Sequence, residues 1–237
     1  MQSNWCIKRQ NANLTLSKLL EYLKSFVTEN KQELIESRLH ERTRHVTVVL
    51  EDIFLAHNTS AVLRSADCFG IQDVHIIENT NHYELNPKVV LGATKWLHLH
   101  QYREDHDNTS FCINQLKQKG YSVVATSPHT ESVSLQNLPI DKPVALMFGT
   151  EKLGLSSNAL ELADAHMYIP MYGFTESLNI SVSAAICLQH LTERMRRSEA
   201  NWQLSSSEKQ ALENEWIRLC LKDPDGLEKR FCLDNPS

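Results

Sequence analysis

Apolar side chains recur every three or four positions over residues 14–39, a spacing that predicts an amphipathic helix. The pattern changes at residues 45–50, where a run rich in valine predicts a first buried strand. Beyond this run, short apolar segments alternate with longer amphipathic ones for most of the chain. Strands that alternate with helices indicate an α/β domain.

The predicted strands are short and rich in β-branched residues, and they lie at residues 45–50, 74–77, 96–100, 122–126, 143–148 and 166–169. The predicted helices lie at residues 59–69, 109–119, 156–162, 179–197 and, before a polar tail, 207–221. This order predicts a mainly parallel sheet with helices on both faces. We therefore expect an α/β core over residues 45–200, an N-terminal helical extension over 1–44, and a C-terminal helical extension with a tail over 201–237.

The composition is that of an ordinary globular protein, with 41% hydrophobic and 22% charged residues. The longest apolar runs are too short to cross a bilayer, so we expect a cytoplasmic protein without a membrane segment. None of the six cysteines forms a Cys-x-x-Cys pair, and we expect no metal site.

The formal net charge of −5 counts mildly against a nucleic-acid partner. Binding depends on the local field, however, and two local clusters of arginine are present. They consist of Arg38, Arg42 and Arg44 near the first strand, and of Arg194, Arg196 and Arg197 near the end of the core. Each cluster is also compatible with a solvated helix end.

Three polar clusters follow predicted strands, at the edge of the sheet where open α/β proteins bind ligands. The first runs from His57 and Asn58 to Arg64, and it is equally compatible with a capped helix that carries a surface arginine. The second spans residues 149–155 and has the glycine spacing of a phosphate loop. Leu155 stands where that loop needs lysine, which argues against a nucleotide triphosphatase.

The third cluster spans residues 169–185, where a strand ends at a proline and a helix rich in small residues begins. Ser177 or Asn179 could cap that helix. Together the clusters read Asn-x-Ser-Ala-x-x-Arg, Gly-x-Glu-x-x-Gly and Ile-Pro-Met-x-Gly followed by Ser-Leu-Asn-x-Ser. In this order they resemble the three motifs of the SPOUT superfamily of RNA ribose 2'-O-methyltransferases, most closely its tRNA guanosine-18 branch.

The resemblance implies S-adenosylmethionine as the cofactor, tRNA as the substrate, a C-terminal trefoil knot, and a homodimer with its sites at the subunit interface. It implies catalytic roles for Asn58, Arg64, Glu151, Ser177 and Asn179. Positions that line the cofactor site in the family correspond to Thr126, Gly149, Ile169, Met171 and Leu178. For RNA contacts we expect His57, by resemblance, together with the six arginines of the two clusters.

Two other functions stay open at this point. One is an rRNA 2'-O-methyltransferase of the same superfamily, which the absence of a separate RNA-binding module before residue 45 disfavours. The other is a catalytically silent RNA-binding protein of this fold, which the five matched catalytic positions disfavour. The base that removes the ribose proton could be Arg64, an RNA phosphate or water. The segment Gly92-Ala-Thr-Lys-Trp96 is a departure from the resemblance, because we do not match it to the tRNA branch.

Overall fold

The computed structural model describes residues 17–104, 107–127 and 132–235. The chain divides into two compact units. The larger unit contains residues 42–203, and the smaller unit combines the two ends of the chain, up to residue 41 and from residue 204. The two predicted extensions thus belong to one unit rather than to two separate ones.

The larger unit is built on a seven-stranded sheet in which every pair of neighbouring strands is parallel. In chain order the strands are β1 (Val46–Glu51), β2 (Asp73–Ile77), β3 (His98–Tyr102), β4 (Ser122–Thr126), β5 (Val133–Ser134), β6 (Val144–Phe148) and β7 (Ala165–Tyr168). Their spatial order is β3-β2-β1-β6-β4-β7-β5. The predicted α/β class with a mainly parallel sheet is therefore confirmed.

The central strands β1 and β6 are buried along their whole length. Burial on both faces explains why their sequences are nearly continuous apolar runs rather than alternating ones, with Thr47 and Glu51 as the polar exceptions in β1. In the register of the sheet, Val48 of β1 lies between Val74 of β2 and Leu146 of β6. One hydrophobic cluster joins these strands to the helices on one face, and a second cluster fills the other face.

The helices of the larger unit connect the strands. They are α3 (Ala56–Cys68), α4 (Pro87–Val90), α5 (Asn108–Gln118), α6 (Ser157–Leu162) and α7 (Ile180–Arg196), with 3₁₀ turns η1 (Ala93–Trp96) and η2 (Leu135–Asn137). Helix α3 packs against α7, α4 and η1. Polar side chains mark where two of these helices begin, since Asp107 is the N-cap of α5 and Ser156 is the N-cap of α6.

The smaller unit contains four helices among its described residues: α1 (residues 17–24), α2 (Glu29–Glu41), α8 (Ser206–Leu219) and α9 (Pro224–Asp234). The single helix predicted over residues 14–39 is wrong, because residues 25–28 interrupt it. Its first predicted residues, 14–16, lie outside the described part of the chain. Gln32 stabilises the break by donating from Nε2 to the carbonyls of Lys24 and Val27, at 2.9 and 2.8 Å.

Other boundaries also differ from the predictions. Helix α3 begins three residues earlier than predicted, at Ala56, and α9 lies in the region predicted as a polar tail. Among the helices of the described residues, none is long and apolar enough to span a membrane. Within the same residues, no group of three or more His, Cys, Asp or Glu side chains is arranged to hold a metal ion.

Candidate functional site

Three loops meet at the carboxyl edge of the sheet. The segment after β1 leads into α3, residues 149–156 follow β6, and residues 169–179 follow β7. Strand β6 lies beside β1 and is separated from β7 only by β4. The three clusters that lie far apart in the sequence are therefore neighbours in the fold.

One polar side chain from each cluster joins a hydrogen-bonded triangle. Asn58 Nδ2 donates to Glu151 Oε1 at 2.9 Å. Asn179 Nδ2 donates to the same Oε1 at 2.6 Å and to Asn58 Oδ1 at 3.2 Å. The Asn58–Glu151–Asn179 triangle thus links the start of α3, the loop after β6 and the start of α7.

The orientation of Asn179 follows from its place at the N-cap of α7. Its Oδ1 accepts from the backbone N of Ser181 at 2.9 Å and from Ser181 Oγ at 2.6 Å. Because these bonds hold the oxygen, the amide nitrogen turns towards Glu151. Of Ser177 and Asn179, the two residues predicted to cap this helix, the structure has Asn179 as the cap. Asn58 does not cap α3, because it lies within the first turn of that helix, is 4% exposed, and α3 has no side-chain cap.

The loop that carries Glu151 is closed on itself. Thr150 N donates to Gly154 O and Gly154 N donates to Thr150 O, both at 2.9 Å. A Cβ atom at Gly149 would lie 2.1 Å from the carbonyl carbon and oxygen of Gly154, so only glycine allows this closure. Gly154 itself has a φ of +70°, which glycine adopts without strain.

Sequence reasoning missed Glu51, which anchors the far end of the same loop. This carboxylate is 3% exposed and lies at the end of β1. Its Oε1 accepts from Thr109 Oγ1 at 2.6 Å and from Ser156 Oγ at 2.7 Å, while Oε2 accepts from Ser156 N at 2.8 Å. A carboxylate that ends a run of buried apolar residues was the available signal, since burial of a charge requires such partners.

A cavity of about 830 Å³ opens beside the triangle, between the loops after β4, β6 and β7. Its lining includes all five positions expected at the cofactor: Thr126, Gly149, Ile169, Met171 and Leu178. Glu151 and Ser177 also line it, whereas Asn58, Arg64 and Asn179 do not. Thr126 is held in place by its hydroxyl, which donates to the carbonyl of Met147 at 2.7 Å.

The predicted catalytic Arg64 lies outside the triangle. It is six residues after Asn58 on α3, about 9 Å along the helix axis and on a different side. Its side chain is exposed and makes no hydrogen bond or ion pair with any residue that the structure describes. His57 is also exposed, and its spacing of seven residues from Arg64 puts both on one face of α3.

The arginines of the first predicted RNA cluster differ in exposure. The Arg42 side chain is only 6% exposed, and it donates to Asp67 Oδ1 at 2.5 Å and to Ile71 O at 2.9 Å. Its prediction as a phosphate contact disagrees with this burial. Arg44 donates from Nε to Asp73 Oδ2 at 2.6 Å and is partly exposed, while Arg38 is exposed on α2 of the smaller unit.

The second cluster is also largely engaged within the protein. Arg194 donates to the carbonyls of Leu135 and Leu138 at 3.0 and 2.8 Å, and this holds the η2 segment. Arg196 stacks over Trp202 at 5.3 Å from the ring centroid. Arg197 is exposed and forms an ion pair with Glu193 one helical turn earlier. Arg194 and Arg196 therefore hold parts of the fold together, and their contact with RNA stays a prediction.

Comparison with known proteins matches the larger unit and extends beyond it. The model of the SpoU rRNA Methylase family matches residues 45–189. A tRNA (guanosine(18)-2'-O)-methyltransferase of Borreliella burgdorferi is 43% identical over 211 residues, which cover 89% of this chain and 95% of that protein. A tRNA (guanosine(18)-2'-O)-methyltransferase of Thermus thermophilus is 36% identical over 161 residues, 68% of this chain and 81% of that protein. The crystal structure of the A. aeolicus TrmH/SpoU tRNA modifying enzyme superposes with a TM-score of 0.71 at 27% identity, covering 81% of this chain and 96% of that one.

Proposed function

The chain belongs to the SpoU rRNA methylase family, and from this membership we propose that it methylates the ribose 2'-hydroxyl of guanosine 18 in tRNA, using S-adenosylmethionine. The observation that carries the proposal is the convergence of Asn58, Glu151 and Asn179 beside a cavity of about 830 Å³. These side chains come from the three motifs of the family, and they span 121 residues of sequence from Asn58 to Asn179. We propose the cytoplasm as the place where it acts on tRNA.

Similarity along 89% of the chain favours tRNA over rRNA as the substrate. The relative from Borreliella burgdorferi is named for guanosine 18 of tRNA and is matched over 95% of its length. The match therefore includes regions outside residues 45–189, the range that the family model matches. This breadth supports the tRNA branch rather than an rRNA enzyme that shares only the core.

The cavity suits S-adenosylmethionine in size and in lining. Its volume falls within the range of about 300–1,000 Å³ that is usual for small-molecule sites. Ile169, Met171 and Leu178 provide apolar surface, and the carboxylates of Glu151 and Glu176 lie on the lining of a site that would receive a cation. When bound, the cofactor supplies an electrophilic methyl group on a sulfonium.

The residues of this chain hold and orient the reactants. Asn179 and Asn58 fix Glu151 Oε1 through two hydrogen bonds, at 2.6 and 2.9 Å, so that the loop on the cavity wall has one conformation. Ser177 lies on the same wall with an exposed hydroxyl that can bond to a ribose oxygen. Such alignment of a nucleophile with its methyl donor supplies much of the rate enhancement in transfer reactions.

Arg64 is the cation of the proposed mechanism. Arginine carries its charge throughout the physiological pH range, and its planar group of donors suits a phosphate or a ribose oxygen. We therefore assign Arg64 to orienting the 2'-hydroxyl and the adjacent phosphate, while the proton leaves to a phosphate oxygen or to water. The exposure of Arg64 and its lack of partners among the described residues support this role.

We also propose that the enzyme is a homodimer whose interface includes the exposed apolar side chains around α7. Tyr172 and Phe174 precede the helix and are almost fully exposed, while Val182 and Ile186 lie one turn apart on its outer side. Contiguous exposed apolar surface marks protein contacts. Pairing through this surface would put Ser177 and Asn179 at the interface and would let a second subunit present its α3 to the site.

Light scattering tests the dimer, for which we expect a mass about twice the 27.2 kDa of one chain. An Ile186→Glu variant should be monomeric, whereas Leu233→Glu, a matched change at an exposed leucine of α9, should leave the dimer intact. A monomeric wild-type protein at micromolar concentration would refute the proposal.

The trefoil knot of this superfamily is the fold we propose for the C-terminal part of the larger unit. Strand β7 follows β4, β5 and β6 in the chain but lies between β4 and β5 in the sheet. After β7 the chain turns back, and α7 packs against η2, α3 and β1. A late strand inserted between earlier ones, followed by a helix that returns across them, is the path such a knot requires.

Methyl transfer to defined RNA tests the proposed activity. Labelled S-adenosylmethionine should transfer label to a tRNA carrying guanosine 18 and not to the same tRNA with 2'-deoxyguanosine at that position. Label that persists in the deoxy substrate would place the modified atom elsewhere. Transfer to rRNA fragments but not to tRNA would favour the rRNA alternative, and RNA binding without transfer to either would favour the silent protein.

A further inference from the structure

Helix α3 and the segment beside it carry one arginine and two lysines that no other described residue engages, together with an exposed histidine. His57 and Arg64 lie on the exposed face of α3, while Lys88 of α4 and Lys95 of η1 are exposed beside it. The side chains of Arg64, Lys88 and Lys95 make no hydrogen bond or ion pair with the residues that the structure describes. We name these four side chains the α3–α4 cationic face.

Packing holds the two parts of this face together. The backbone N of Asn86, the N-cap of α4, donates at 2.8 Å to Ser60 Oγ, and Ser60 lies on α3 between His57 and Arg64. Val90 of α4 and Ala93 of η1 are buried in the same hydrophobic cluster as Leu63 of α3. The spacing on each short helix then turns Lys88 and Lys95 away from the core.

The local charge of this face is opposite to that of the whole protein. The chain has a net charge of −5, yet residues 53–66 and 85–103 contain no Asp or Glu. The surface therefore combines cations that have no described partner with two stretches that lack carboxylates, and the nearby Asp67 at the end of α3 is paired with Arg42. Proteins that bind nucleic acid despite an acidic balance do so through a local field of this kind.

We infer that the α3–α4 cationic face binds phosphates of the RNA strand on either side of the nucleotide that is methylated. This inference rests on the proposed function and adds Lys88 and Lys95, which lie outside the three motifs quoted above. The segment with Lys88 and Lys95 runs from the carboxyl end of β2 to the amino end of β3 alongside α3. An RNA strand that enters at Asn58 can therefore follow α3 past Arg64. The rise along the helix from His57 to Arg64 is about 10 Å.

The Gly92-Ala-Thr-Lys-Trp96 segment has a defined part in this surface. Leu91 and Gly92 both have positive φ, at 47° and 80°, and they form the turn between α4 and η1. This turn buries Ala93 against α3 and leaves Lys95 outside. The backbone conformation thus presents the second lysine on the same surface as the first.

Salt-dependent tRNA binding tests the inference, with the Lys88→Gln/Lys95→Gln double variant. Each phosphate contact that is lost should reduce the slope of log K against log salt by about 0.7–0.9, and affinity should fall on the order of tenfold. The matched control is Lys119→Gln/Lys142→Gln, which removes the same charge from exposed lysines that precede β4 and β6 at the amino edge of the sheet.

The expected result is a reduced slope and a raised KM for tRNA in the first variant only, with unchanged binding of S-adenosylmethionine and unchanged mass. An unchanged slope, or an equal reduction in both variants, would overturn the inference while wild-type methylation of tRNA left the proposed function standing. A change in mass instead of RNA affinity would show that a second copy covers this face, which also overturns it. If the wild type binds tRNA through these lysines without methylating it, the proposed function fails and the inference of a phosphate surface holds.

Discussion

Arg42 and Arg64 lie in neighbouring parts of the larger unit, and the sequence predicts an RNA-directed role for both. Arg42 is buried, and its guanidinium is shared between Asp67 and the carbonyl of Ile71. Arg64 lies on α3, the helix that also carries Asp67. It is exposed and makes no hydrogen bond or ion pair with the described residues. The contrast teaches that burial and partners, rather than residue type or clustering, separate arginines that stabilise the fold from arginines that can serve a ligand.

The largest effect is expected at Arg64, because it acts on the reaction and not on the fold. Arg64→Ala should reduce methyl transfer roughly 10³-fold, as loss of a preorganised electrostatic contact does. Its melting temperature and its calorimetric binding of S-adenosylmethionine should stay near the wild-type values. Arg64→Lys, which keeps the charge without the planar donors, should restore little activity.

Two outcomes would contradict the role assigned to Arg64 in the comparison with Arg42. Activity that falls only in proportion to the unfolded fraction would make Arg64 structural. Near wild-type activity in the lysine variant would mean that charge alone suffices.

At Arg42 the expected effect is on stability. Arg42→Ala leaves Asp67 and the Ile71 carbonyl without their buried donor, and we expect a loss of about 3 kcal/mol in the free energy of unfolding. Urea unfolding measures this loss. The slope of log K for tRNA binding against log salt should not change in the folded variant. A reduced slope would mean that Arg42 contacts a phosphate of the RNA.

Arg194 is expected to act on the cofactor site through the segment it holds. Its two hydrogen bonds to the carbonyls of Leu135 and Leu138 fix η2, which contributes Gln136 to the cavity lining. Arg194→Ala should destabilise the protein by about 2 kcal/mol and weaken S-adenosylmethionine binding several-fold. Unchanged cofactor affinity, together with weaker tRNA binding, would support the original prediction for this residue instead.

The smallest effect is expected at Arg44, whose exposure is intermediate between that of buried Arg42 and that of exposed Arg64. Burial raises the pKa of Asp73, but hydrogen bonds from His100 and His98 and the charge of Arg44 outweigh it and hold that pKa well below its usual range. A depressed carboxyl pKa contributes stability that is present above the unfolded pKa of about 3.9 and is lost as the pH falls.

Arg44→Ala should therefore lower the melting temperature by a few degrees at neutral pH and by progressively less below about pH 4. Thermal unfolding of both proteins from pH 3 to 8 checks this, with Arg38→Ala on exposed α2 as the control. A gap between wild type and variant that does not depend on pH would mean that Arg44 does not act through Asp73.

The sequence alone determined the elements whose physical cause is local. The valine-rich run of β1 and the apolar run of β6 predict buried parallel strands, because a strand of a parallel sheet has apolar side chains on both faces. Both strands are buried along their whole length. Asn179 was predictable as a cap because asparagine before an apolar helix has that preference. The glycines at 149 and 154 marked a tight loop because no other residue allows its closure.

Only the tertiary structure decided which of these polar residues work together. Glu51 and Ser156 are 105 residues apart, and Asn58 and Asn179 are 121 apart, so no local pattern could report that they bond. The intramolecular partners of the arginines were hidden for the same reason, since those of Arg42 and Arg194 lie 25 and 59 residues away. Charge, spacing and propensity are properties of a segment, whereas burial and hydrogen-bond partners are properties of the packed chain, and at this site the packed chain determines the function.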